Sequence, residues 1–276
     1  MLKDMTLGQY FPGNSVLHRL DARVKIILTI LYIVTIFLAD NELCFGFLLL
    51  SAVLLVALSR LSLRVILKGL KPILFVLLFT MILNLFFTKG DALLFKFYFL
   101  EIYLEGVVRA VKMILRVVVL IIGTSVLLTY TTSPIVLTDA IESLLSPLKK
   151  IRVPVHDFAM MMTIALRFIP TLVEETDKII NAQKSRGADF ESGGLLSRAR
   201  ALVPVLIPLF VSSFNRADEL AVAMECRCYR GDVGRTRYVK MKMHARDGVA
   251  LLLFAAFLVG VVLVNIYPLY PPFFPS

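Results

Sequence analysis

Residues 24–58 read VKIILTILYIVTIFLADNELCFGFLLLSAVLLVAL: two apolar blocks, 24–39 and 43–58, separated only by the acidic turn Asp40-Asn41-Glu42. Each block would make a helix about 24 Å long, slightly short of a ~30 Å hydrocarbon core. Arg23 and Lys25 lengthen the first block by carrying their charged heads to the interface. The same pattern recurs along the chain, with further blocks at 73–88, 107–130 and 248–267. Hydrophobic residues make up 58% of the 276 residues and charged residues only 18%, which is more apolar side chain than a soluble domain of this size could cover. The fold class expected is therefore an all-α integral membrane protein with about five transmembrane helices. It divides into an N-terminal arm and four helices over 1–130, a long charged helical section over 131–247, and a last membrane helix with an uncharged tail over 248–276.

The net charge of +10 would suggest nucleic acid in a soluble protein. Here the cations flank apolar blocks, so topology is the simpler account and no nucleic-acid partner is expected. Lys3, Arg19, Arg23 and Lys25 lie in the N-terminal arm or at the very start of the first block, and a basic loop with Arg60, Arg64, Lys68 and Lys71 follows the second. The turn between the two blocks holds no cation. Placing the N-terminus in the cytoplasm puts every strongly basic stretch on that side, including 131–247. The first 20 residues are polar and mixed, unlike a cleavable signal sequence. Residues 89–105, mixed in charge and rich in Phe and Tyr, suit either a membrane interface or a short strand pair. Arg109, Lys112 and Arg116 share one face of the fourth helix, read either as cations snorkelling from the helix start or as a functional face. Asn84 is the one amide deep in a span, expected to bond a neighbouring helix.

The section 131–247 is too long for an ordinary loop. Ser133-Pro134 marks a helix start, Pro147 a stop, and 155–169 a second helix that Pro170 kinks or restarts before it continues over 171–186. The segment 202–214 is apolar but too short to span, and a helix continues over 215–229. Two helix ends resemble each other: Ala182-Gln183-Lys184-Ser185-Arg186-Gly187 and Ala223-Met224-Glu225-Cys226-Arg227-Cys228-Tyr229. Each places one long cation between two small residues at a helix tip. Such an Arg can pair bidentately with a partner's carboxylate, or it can cap its own helix's last carbonyls.

No Gly-x-x-x-x-Gly-Lys-Ser/Thr loop is present to cradle ATP. Cys226-x-Cys228 is the only cysteine pair, and His18, His156 and His244 stand at no ligand spacing to it, so no metal site is expected. No catalytic constellation and no bound cofactor are expected either.

The chain resembles the transmembrane T component of energy-coupling factor (ECF) transporters over essentially its whole length. The resemblance is carried by Ser15-Val16-Leu17-His18-Arg19-Leu20-Asp21-Ala22-Arg23-Val24-Lys25, Thr131-Thr132-Ser133-Pro134, Leu166-Arg167-Phe168-Ile169-Pro170 and the two Arg tips. It departs from the family pattern at Ala22, where Pro is usual, and beside the two Args, where Ala and Gly are usual. The resemblance implies a non-catalytic subunit of a prokaryotic cell membrane. Its cytoplasmic coupling helices would dock on two ABC-type ATPase subunits, through Ser185, Arg186 and Gly187 on one and Cys226, Arg227 and Cys228 on the other. ATP and Mg would be bound by those partners. The membrane and coupling helices would hold a separate substrate-binding S component for a vitamin or other micronutrient. The wording at 224–229 leans to the vitamin-type module, with a dedicated cobalt or nickel importer as the alternative. A membrane-embedded enzyme and a stand-alone secondary transporter are the competing classes.

Overall fold

A computed structural model describes residues 10–88, 93–97, 100–190, 194–231 and 241–267. The described residues form two compact units, one of 10–133 with 241–267 and one of 134–231.

The first unit is a helical bundle. Its elements are α1 (Ala22–Leu38), α2 (Glu42–Ser59), α3 (Leu63–Leu70), α4 (Leu74–Phe87) and α5 (Leu104–Thr124), with α9 (Ala245–Ile266) closing it. Among the described residues, four stretches are long and apolar enough to cross a membrane: Glu42–Ser59, Leu63–Phe87, Leu104–Thr129 and Ala245–Ile266. Helix α1, at 17 residues and about 26 Å, is marginally shorter but packs between α5 and α9. The outer faces are unprotected: Leu54, Phe75, Leu78, Leu252 and Leu253 are all exposed on the isolated chain. Lipid makes this tolerable, and the helices satisfy their own backbone groups as a bilayer demands.

Helices α1 and α9 are fastened at both ends. At their N-terminal ends Asp21 N–H donates to Asp247 Oδ1 at 2.9 Å, and His244 N–H donates to Asp247 Oδ2 at 2.8 Å. Asp247 is 1% exposed, so its carboxylate serves two helix starts at once. Asp21 in turn caps α1 through Arg23 N–H at 2.9 Å. The Arg23 side chain bonds both Asp21 oxygens and the Met241 carbonyl, and its guanidinium holds the Asp21 carboxyl below the usual range. At the opposite ends Asn41 Nδ2 donates to Val264 O at 3.1 Å and Asn265 Nδ2 to Leu38 O at 3.0 Å. The two helices therefore run in the same direction. Lys25, 2% exposed, donates from Nζ to Thr131 O at 2.9 Å and Thr132 Oγ1 at 3.1 Å. The chain thus leaves the bundle at 131–133 and returns at 241 on the end where α1 begins.

Close approach of backbone to ring sets the bundle centre. Tyr32 of α1 is fully buried, its hydroxyl 3.1 Å from Ser51 Oγ and its ring edge-on to Phe254 at 5.9 Å. It lies against Gly123 of α5, where any Cβ would fall inside the ring. Beyond Thr124 the helix widens into a π-turn over Ser125–Thr129, which delivers Tyr130, Thr131 and Thr132 into buried positions. Ahead of α1, Ser15 Oγ bonds His18 Nδ1 at 2.7 Å, while His18 Nε2 lies 2.9 Å from Phe11 O. An Nε2–H tautomer satisfies both. Gly13 leaves room for that imidazole: a Cβ there would meet it at 2.9 Å.

Several sequence-based expectations change. The basic stretch 60–71 is not a loop: after Arg60 it forms α3 and a 3-10 turn over Lys71–Ile73, with Arg64, Lys68 and Lys71 on one face and Ile66 buried. Within 89–105, where a strand pair is one of two readings the sequence leaves open, the chain forms that pair, β1 (Leu93–Phe97) antiparallel to β2 (Leu100–Tyr103), with Lys96 opposite Glu101. Asn84 bonds its own helix, Nδ2 to Thr80 O at 2.9 Å, rather than a neighbour. Arg116 neither snorkels nor stands free for function. It reaches the α1–α2 turn, with Nη2 2.6 Å from Ala39 O and 3.2 Å from Asp40, and lies over the Phe45 ring. Lys112 lies 3.6 Å from Glu42. The acidic turn is therefore the counter-charge that sequence spacing alone did not connect to α5. The Pro- and aromatic-rich tail lies outside the described residues.

The second unit holds α6 (Pro134–Leu145), a 3-10 stretch (Ser146–Ile151), α7 (Val155–Ser185) and α8 (Leu195–Cys226). The sequence leaves a kink or a restart open at Pro170, and reads 215–229 as a continuation of the helix over 202–214. Helices α7 and α8 both run unbroken, with Pro170 inside α7 and Pro204 and Pro208 inside α8. Each Pro removes one backbone donor but leaves the helix axis to continue.

Candidate coupling site

Arg186 and Arg227 are the C-cap residues of α7 and α8, and the two helix ends are built alike. At the first, Gly187 N–H donates to Lys184 O at 3.0 Å and Ala188 N–H to Gln183 O at 3.0 Å. At the second, Cys228 N–H donates to Glu225 O at 2.8 Å and Tyr229 N–H to Met224 O at 3.1 Å. Both are the paired six-to-one and five-to-two bonds of a Schellman ending, which needs a left-handed residue directly after the cap. Gly187 supplies it with φ 86° and Cys228 with φ 56°.

This geometry bears on the capping use of the arginines. The carbonyls of Gln183 and Lys184, and of Met224 and Glu225, are taken by backbone N–H groups, so neither guanidinium is needed to cap them. Ser185, Arg186, Gly187, Cys226, Arg227 and Cys228 are all exposed. Among the described residues, neither Arg side chain makes a hydrogen bond or ion pair. Each tip presents a fork of five donors with no internal acceptor.

The residue after each Arg carries different strain. Glycine adopts φ 86° freely, whereas Cys at φ 56° costs about 1 kcal/mol. Cys228→Gly is expected to keep the tip intact and slow hydrogen exchange of the peptide carrying the 228 and 229 amides. Cys228→Val, β-branched in a left-handed position, is expected to speed that exchange at least about tenfold. Equal exchange in the two variants would contradict the shared backbone design.

Helices α7 and α8 meet away from their tips. Glu175 accepts from Ser212 Oγ and from Arg216 Nη2 at 3.3 Å, and the Arg216 guanidinium lies 6.0 Å from the Phe168 ring centre. Each tip lies about 11 residues beyond its own member of the Glu175–Arg216 pair, or about 16 Å along its helix. In the sequence Glu175 belongs to an acidic helix turn with Glu174 and Asp177, and Arg216 carries no distinguishing signal. Their separation of 41 residues left no local signal that they pair.

Helix α8 also carries an exposed apolar stripe. Val203, Ile207, Phe210 and Phe214 lie on one side, and the last two rings stack at 6.4 Å. Exposed apolar surface of this extent marks a face that meets lipid or another protein. Among the described residues no group of three His, Cys, Asp or Glu side chains is placed to hold a metal.

The chain matches the family described as CbiQ, cobalt transport protein, over residues 13–238. It is 54% identical to the energy-coupling factor transporter transmembrane protein EcfT of Ruminiclostridium cellulolyticum over 267 residues, 96% of this chain and 98% of that one. It is 55% identical to the protein of that name from Clostridium kluyveri, over 91% of this chain and 93% of that one. Against its Bacillus subtilis counterpart it is 48% identical, over 94% and 98%.

Proposed function

Since the chain belongs to the CbiQ/EcfT family, the transmembrane components of energy-coupling factor transporters, we propose that it couples two ABC-type ATPase subunits to a substrate-binding S component during micronutrient uptake. The observation that carries this reading is the pair of matched helix tips, each holding an exposed, unpaired Arg on a backbone-capped end. A guanidinium fork suits a carboxylate in a groove, and two equivalent tips suit two homologous or identical docking grooves.

In this reading the N-terminus and residues 134–231 lie in the cytoplasm, in a prokaryotic cell membrane, as the distribution of Lys and Arg favours. Each Arg seats in one ATPase. ATP and Mg bind to those partners, and this chain contributes no catalytic group. When ATP draws the ATPases together the two tips move with them. The Glu175–Arg216 contact joins the helices partway along, so displacement at the tips alters the angle between the arms. The apolar stripe of α8 is the surface offered to the S component, whose release of substrate follows that movement. The wording of 224–229 leans to a vitamin-type module over a dedicated cobalt or nickel importer.

Affinity purification of this chain from its native membranes in mild detergent tests the assembly. The expected result is co-purification of two ATPase chains and at least one small membrane protein, with uptake in liposomes that requires ATP. A chain that purifies alone and transports without ATP would instead be a secondary transporter.

A further inference from the structure

The corner between α6 and α7 carries a feature that coupling does not use. A cavity of about 170 Å³ opens there. Ile141, Phe158, Ala159 and Met162 line it, together with Leu148 and Val153. Its one acidic lining residue, Glu142, is already held by His156 Nδ1 at 3.0 Å, with both side chains largely buried. The remaining surface is oily, and a volume near 150 Å³ with such a lining takes a benzene-sized apolar group rather than water.

The turn that joins two of these lining residues is different in character. Between Leu148 and Val153 the chain runs through Lys149, Lys150, Ile151 and Arg152, all exposed. Ile151 is 77% exposed, so this turn displays a large aliphatic side chain among three cations. A turn meant for water gains nothing from that arrangement. A segment lying in the headgroup layer gains twice, from burying Ile151 and Leu148 in the acyl boundary and from holding anionic headgroups with the cations.

We infer that the α6–α7 corner binds an anionic phospholipid, with part of an acyl chain in the cavity and the phosphate on Lys149, Lys150 and Arg152. The occupant is a lipid rather than free phosphate because the cations border an apolar cavity, which inorganic phosphate cannot fill. The site is independent of which protein partners the chain takes. It would anchor the α6–α7 corner at the membrane surface and make the corner responsive to lipid composition.

The sequence contains no Trp, so Ile151→Trp gives the full-length chain a single indole reporter. Ile151 is exposed, and the exchange leaves the packing of α6 on α7 untouched. The variant is placed in phosphatidylcholine nanodiscs containing an equal minor fraction of either brominated phosphatidylglycerol or brominated phosphatidylcholine. Quenching by the anionic lipid is expected at a concentration on the order of 10-fold lower than by the zwitterionic one. That preference should vanish when Lys149→Gln, Lys150→Gln and Arg152→Gln are added.

Native mass spectrometry of the chain with its own Ile151 supplies a second readout. Phosphatidylglycerol should stay bound to the unmodified chain and leave the triple Gln variant, while glycerol phosphate should fail to displace it. Equal quenching by both lipids, no quenching by either, or a preference that survives the triple substitution would overturn the site. So would displacement of the lipid by glycerol phosphate or by an acidic peptide, since either would mean that the cations act without the cavity.

Discussion

The double charge reversal Arg186→Glu with Arg227→Glu is expected to leave the chain folded and inserted in the membrane while abolishing ATPase association and ATP-dependent uptake. Neither guanidinium has a partner among the described residues, and both helix ends are closed by backbone N–H groups. Substitution at such exposed sites changes intrinsic stability by no more than about 0.5 kcal/mol. Removing one member of a docked charge pair costs about 2–5 kcal/mol, or roughly 30- to several-thousand-fold in affinity, and an introduced carboxylate adds repulsion. Each single variant should release one ATPase contact. The double variant should release both.

Arg186→Lys keeps the charge but loses the planar fork, so intermediate retention is expected. The measurement is the ratio of ATPase to this chain after affinity purification, alongside uptake in reconstituted liposomes. Assembly and transport by the double Glu variant at the unmodified level would remove the tips from the mechanism.

The second large effect is expected at Gly123. A Cβ there would stand 2.7 Å from Tyr32 Cδ1 and 2.8 Å from Cζ, and closer still to Cε1. The ring cannot retreat. It is fully buried, its hydroxyl is engaged by Ser51, and Phe254 lies against its edge. Gly123→Leu must therefore push α5 from α1. Overpacking of this kind costs about 1–3 kcal/mol, and losing the Tyr32–Ser51 bond adds about 1 kcal/mol. For a chain of this size that corresponds to a fall of about 5–10 °C in the midpoint of thermal unfolding in detergent. Tyr32→Ala in the same background should recover part of the loss, because the new side chain then occupies the vacated volume. Unfolding midpoints of the two single variants and the double give the coupling directly. Strict additivity, or a Gly123→Leu chain as stable as the unmodified one, would mean the two helices are not locked at this contact.

Much of the fold is readable from the order of apolar and charged residues. The membrane blocks, the stop at Gly187 and the matched tips around Arg186 and Arg227 depend on residues adjacent in sequence. Their physics is local: hydrocarbon length, helix-terminating residues, and a long cation between small neighbours. Punctuation misled in one respect. Pro170 suggested a kink or a restart, yet α7 runs through it, as α8 runs through Pro204 and Pro208, because a Pro removes a single donor and the neighbouring turns keep theirs.

What the sequence by itself determined is the class of protein, its apolar spans and the position of two Arg-bearing helix tips, since each follows from a hydropathy period or a few contiguous residues. Only the tertiary structure decided how distant residues are joined. It paired Asp247 with the start of α1, Arg116 with the turn at Asp40, Glu175 with Arg216 and Gly123 with Tyr32. Each pair is separated by tens to hundreds of residues, and its energy comes from burial, close approach or opposite charge that exists only once the helices have packed. The same holds for the tips: sequence placed the arginines, but only the folded structure shows both helix ends closed by backbone N–H groups and, among the described residues, neither guanidinium hydrogen-bonded or ion-paired.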